Sequence, residues 1–161
     1  MKRGQLEISF GIIFSIFLII AFIGVGIYAI TYFLNLSECA EIGLFYQDLD
    51  ERVNKAWTSE LTREVFSGSV SSDIESVCFG SLEGNPGKYD EEHQAISRIF
   101  RFSEDNVFLF PPEKGCGKDS ASFNLKNAQA EEFFCVPVVD KKVDVRLTKE
   151  SFDALVNLEK P

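Results

Sequence analysis

Between Ile8 and Leu34 the chain contains no Asp, Glu, Lys, Arg or His. Those 27 residues are uncharged and mostly apolar. As a helix they reach roughly 40 Å, at about 1.5 Å per residue. A bilayer hydrocarbon core needs only about 20 such residues. The run is too long for the apolar core of a cleaved secretory signal, which holds about 7–15 residues. It also ends in Tyr28, Ala29, Ile30, Thr31, Tyr32, Phe33 and Leu34, an aromatic-rich exit suited to the headgroup level and not a small-residue cleavage site. A soluble core helix is excluded as well, because the remaining chain is too short to hide such a rod on every side.

Other absences exclude chemistry. No two of the four cysteines are close enough for a structural zinc pair or a redox C-x-x-C. His93 is the only histidine, so a Cys–His nucleophile has one candidate base. Gly80, Gly84 and Gly87 lead to no Lys-Ser or Lys-Thr and so do not form a phosphate loop. Glu91–Glu92 and Glu131–Glu132 are adjacent pairs, and adjacent side chains do not face one another on a helix or strand. Asp48 and Asp50 lack calcium-loop spacing, and Asp119 near Glu113 is the nearest approach to a cation site. The expectation is no catalytic set, no metal, no cofactor and no enzyme activity.

The charges that are present set an orientation. Lys2 and Arg3 precede the apolar run; Glu38 and Glu41 follow it, and the first basic residue after it is Arg52. Positive residues stay on the cytoplasmic side. A single-pass protein of the cell membrane is expected, with its N-terminus in the cytoplasm and residues 35–161 outside. Removing Lys2, Arg3 and Glu7 from 16 basic and 25 acidic residues leaves 14 and 24 in that outer part, a net charge of -10. Nucleic acid is therefore not an expected partner. Membrane lipid is, through the apolar run and not through the acidic surface.

Four regions follow. Residues 1–7 are a polar cytoplasmic head, and residues 8–34 are the transmembrane helix. Within that helix Gly11 and Ser15 lie four apart on one face, where small residues permit close helix packing. Residues 35–66 are expected to continue the anchor as an amphipathic helix. Leu36, Cys39, Ile42, Phe45, Leu49, Val53, Ala56 and Trp57 recur at three and four. Residues 67–161 are expected to form a small antiparallel β-rich extracytoplasmic domain with one short helix, giving an α+β chain. Its candidate strands are 73–79, 107–110, 122–125, 132–139, 142–147 and 152–158. The candidate helix is 89–100, with Asp90 as N-cap and Ala95, Ile96, Ile99 and Phe100 facing inward.

All four cysteines, Cys39, Cys78, Cys116 and Cys135, follow the apolar run. An even count on the oxidising side of a membrane fits two disulfides, with three possible arrangements; the alternative is four buried thiols. Cys78 and Cys135 each sit inside an apolar strand-like run, Val-Cys-Phe and Phe-Cys-Val. If those strands are neighbours, Cys78 bonds Cys135, and Cys39 is left for Cys116.

The first residues, Met-Lys-Arg-Gly-Gln-Leu-Glu-Ile-Ser-Phe, and the apolar run behind them resemble archaeal type IV pilin-like proteins with a class III signal peptide. The resemblance covers about the first 30 residues. It implies a leader Met1–Gly4, cut on the cytoplasmic side between Gly4 and Gln5 by a prepilin-type peptidase. It also implies an anchor helix able to become the core of a filament. The family pattern continues from glutamine to serine and then glutamate at two-residue steps; here those positions hold Gln5, Glu7 and Ser9, with serine and glutamate exchanged. A glutamate at the edge of the span could neutralise the new amino terminus of a neighbouring subunit. The expected function is that of a membrane-anchored, pilin-like cell-surface structural protein: a filament subunit, a minor pilin or a monomeric surface module. Its partners would be copies of itself or other pilin-like subunits. The alternatives are a single-span anchored module whose head binds an extracellular partner and, third in order, an anchored enzyme.

Overall fold

A computed structural model describes residues 10–84 and 86–161. The chain divides into two units, Met1–Ser37 and Glu38–Pro161. One helix, α1 (Phe10–Trp57), crosses that division without a break, so Asn35 and Ser37 do not interrupt it. In the first unit every residue from Gly11 to Leu34 is exposed except the half-buried Ala29. The run is long and apolar enough to cross a membrane, and none of its most apolar window is buried by protein.

In the second unit α1 becomes one-sided. Ile42, Phe45, Tyr46, Leu49, Val53 and Ala56 are buried, whereas Trp57, and Leu36 within the first unit, remain exposed. The helix stops at Trp57, and Thr62–Ser69 is strand β1. The expected amphipathic helix over 35–66 is thus corrected at its end. The hydroxyls of Thr58 and Ser59 donate to the Lys55 carbonyl, at 2.9 Å each, and occupy an acceptor of the last turn. Beyond them Phe66 and Gly68 alternate inward between Val65, Ser67 and Ser69, a period of two that the helical pattern concealed.

Two four-stranded sheets complete the head. The first has the order β1, β7 (Lys142–Lys149), β8 (Val156–Glu159), β5 (Ala128–Gln129). The second has the order β4 (Ser122–Phe123), β3 (Val107–Phe110), β2 (Ser76–Phe79), β6 (Phe134–Pro137). All neighbours are antiparallel except β5 and β8, which run parallel with Ala128 opposite Val156. In the first sheet one face packs inward through Phe66, Val143, Val145 and Leu147, and the other carries Lys142, Asp144 and Arg146, a half-solvated alternation.

The second sheet is covered on both faces. Val77, Phe79, Val107, Leu109 and Val136 join the main core with α1. Cys78, Phe108 and Cys135 face the other way, onto Ile96 and Phe100 of helix α2 (Asp90–Phe100). Burial on two sides explains why Ser-Val-Cys-Phe reads as an imperfect alternation. Tyr89 and not Asp90 stands at the N-cap of α2, and its side chain makes no capping bond. Phe152 is 99% exposed and Ala154 is also exposed, so the last strand begins at Val156 and not at 152.

Candidate functional site

The residues singled out from sequence fall into three places. Gly4, Gln5 and Glu7 lie outside the described residues. Gly11 and Ser15 lie on the exposed stretch of α1, and the Ser15 hydroxyl donates to the Gly11 carbonyl at 2.8 Å. That bond satisfies the hydroxyl within its own helix, as serine needs in an apolar medium. The four cysteines lie in the head, which is where the structure brings distant residues together.

Cys39 of α1 is bonded to Cys116, with Cα atoms 5.4 Å apart, and Cys78 to Cys135, with Cα atoms 3.9 Å apart. Cys78 and Cys135 are register partners on β2 and β6. The Val138 amide donates to the Glu75 carbonyl at 2.8 Å, which fixes the ladder phase. Counting from that bonded pair, Cys78–Cys135 and Ser76–Pro137 occupy the non-hydrogen-bonded positions, where opposed side chains approach most closely. Pro137 therefore sits where its missing N–H would face outward from the edge strand, and β2 loses no ladder bond. Cys116 has φ 61° and Gly117 φ 99°, so the tight loop through Pro112–Ser120 turns in the left-handed region at the bonded cysteine. Gly115 is packed on Ala121; a Cβ there would come within 2.7 Å of the Ala121 Cα.

Tyr46 was not singled out from sequence, although it follows Ile42 by four on the inward face. Its ring stacks on Phe123 with centroids 4.8 Å apart, and its hydroxyl donates to the Ser120 carbonyl at 3.1 Å. Burial, aided by the charge of Asp105, pushes its pKa well above the usual tyrosine value. The contact ties α1 to the segment that carries Cys116, beside the Cys39–Cys116 bond.

A cleft of about 560 Å³ in the head is bordered by Gly80–Glu83, Ser97, Arg101–Asn106 and Ala128–Ala130. Asn106 organises its wall: the side-chain amide donates to the Leu125 carbonyl at 3.0 Å, and its oxygen accepts from the Leu125 amide at 2.8 Å. Asp105 accepts hydroxyl bonds from Ser103 and Ser122. The Ser97 hydroxyl is buried without a partner. His93, the one candidate base, is partly buried, set edge-on to Phe133 at 4.9 Å and 3.2 Å from the Leu82 carbonyl, as a packing residue.

Among the described residues no three His, Cys, Asp or Glu side chains are grouped to hold a metal ion, and every cysteine is bonded. Glu113 and Asp119 belong to separate single-turn helices, Pro112–Lys114 and Lys118–Ser120. In comparisons with known proteins, the chain matches no family model, no curated protein and no solved structure.

Proposed function

We propose that this chain is a membrane-anchored, pilin-like structural protein of the cell surface, acting as a filament subunit or minor pilin. Residues 8–34 sit in lipid, the N-terminus lies in the cytoplasm, and the acidic head lies outside. One observation carries the reading. A single helix is uncharged, mostly apolar and uncovered over its first part, and over its last part supplies one wall of the head's core. Such a helix offers a bare apolar rod for lipid or for the same rod of neighbouring subunits, with a folded domain attached to its far end. The Lys2-Arg3-Gly4-Gln5 start supports cleavage after Gly4 by a prepilin-type peptidase. Glu7 would then lie close to the new amino terminus at Gln5, or to that of a neighbour. Two disulfides in a small head fit an oxidising compartment.

Intact mass of the native protein, measured with the size of the purified particle, tests this reading. Loss of the first four residues and copurification of many copies in a rod are expected. A full-length mass with monomers only would sink the filament role and leave the anchor. Recovery from the soluble fraction would sink both.

A further inference from the structure

The four sheet edges of the head are not alike. β4 and β5 are two residues long each, and β6 places Pro137 at an outward position. Short strands and edge prolines are the usual means of preventing strand addition. β1 has neither: it is an edge strand of eight residues without proline.

Its free side can be assigned residue by residue. The Val70 amide donates to the Lys141 carbonyl at 2.9 Å, continuing the β1–β7 register in which Gly68 faces Val143. Alternation from that pair turns the backbone groups of Thr62, Glu64, Phe66 and Gly68 toward β7. Those of Arg63, Val65, Ser67 and Ser69 point away from the sheet, and none has a hydrogen-bond partner among the described residues.

A groove of about 480 Å³ runs along this strand. Its floor is Glu64–Ser67, and its wall is the polar flank of α1 at Asp48, Glu51, Arg52 and Lys55. No ion pair joins these charges among the described residues. A helix beside an open strand is the arrangement into which an extended peptide adds as a further strand, with backbone bonds giving affinity and alternate side chains giving selectivity.

We infer that β1 is the docking edge for an extended, basic segment of another protein, which becomes the fifth strand of this sheet. The backbone requirement comes from the four outward residues. The charge requirement comes from three carboxylates against two bases in the groove, on a head of net charge -10. That field attracts a cationic segment and repels a second acidic head. The inference does not depend on the filament reading.

The test uses the full chain in detergent micelles and a peptide of β1's length that alternates threonine and lysine. Its threonine–glutamate counterpart serves as control. The lysine peptide is expected to slow hydrogen exchange at Arg63, Val65, Ser67 and Ser69, and the glutamate peptide to bind at least about tenfold more weakly. Val65→Pro removes an outward N–H while leaving the β7 ladder its bonds, and should weaken the lysine peptide by about tenfold or more. The unaltered protein gives a second control: a lysine peptide N-methylated on alternate residues should lose binding when the blocked edge is the one facing β1. Unchanged exchange at the four amides with saturating peptide would overturn the inference, as would equal binding of both peptides. Protection of the same amides without peptide, in a concentration-dependent dimer, would assign the edge to a second copy instead.

Discussion

The two parts of α1 obey the same helical geometry and opposite rules of burial. From Gly11 to Leu34 the side chains are uncharged and mostly apolar on every side, and Phe22 and Tyr28 are more than 70% exposed. From Ile42 to Ala56 one face is buried to 7% exposure or less, and the other carries Asp48, Glu51, Arg52 and Lys55. Amphipathicity is the signature of a helix between a core and water. It disappears before residue 35, where the helix is long and apolar enough to cross a membrane. In the second part the helix owes its position to the sheets it covers; in the first, none of the most apolar window is buried.

Substitutions can break that contrast. The largest effect is expected from the covalent links. Replacing Cys39 and Cys116 by serine, or Cys78 and Cys135, releases closures of 77 and 57 residues in sequence separation. Each should cost the head about 4 kcal/mol in the chain-entropy account, read as a lower midpoint in chemical denaturation. Leu49→Ala, at a fully buried position, should cost about 3 kcal/mol. Ile20→Lys is its counterpart in the bare part: head stability should stay within about 0.5 kcal/mol, while membrane insertion should worsen by about 3 kcal/mol in an insertion assay. An unchanged Leu49→Ala melting curve, or an Ile20→Lys head that melts early, would erase the distinction.

Smaller effects sharpen it. Gly68 lies under two rings, where an added Cβ would come within 2.6 Å of Phe45 and 2.7 Å of Phe66. Gly68→Ala should cost about 1–3 kcal/mol, because both rings are held in the core. Tyr46→Phe should cost about 1 kcal/mol through loss of the bond to Ser120. Its clearer sign is in pH. The folded head keeps the Tyr46 proton above the usual pKa of 10.0, where the unfolded chain releases it. The contribution is therefore full below pH 10.0 and declines as pH rises beyond it, by about 1.4 kcal/mol per unit. Stability measured across that window should fall less steeply in the phenylalanine variant.

Sequence periodicity revealed elements with one clear partner. Val143, Val145 and Leu147 alternate because β7 has one buried and one wet face. Ile96 and Phe100 mark α2 because that helix covers a single sheet face. The disulfide arrangement matches the one favoured by the Val-Cys-Phe and Phe-Cys-Val runs, since both cysteines lie on adjacent strands. Other features had no local signal. β1 was hidden because Leu61, Val65 and Phe66 mimic a helical spacing, and the strand is defined by β7 some 80 positions later, at Val145 opposite Phe66. β5 is two residues held by parallel pairing with β8, too short for any period to register. The cleft around Asn106 is assembled from four separate segments. The open edge of β1 is a property of what fails to pair with it, which no single stretch of sequence encodes.

The Cys39–Cys116 bond has a mechanical consequence. Cys39 precedes Ile42, the first buried residue of α1. Tension arriving along the helix from its N-terminal side meets a covalent clamp before it meets any packed side chain. The helix cannot be peeled from the head turn by turn, since peeling would have to begin at a bond that does not yield. The remaining route is to shear the whole helix–sheet contact at once, which demands far more force, and reducing agent would convert one mode of failure into the other.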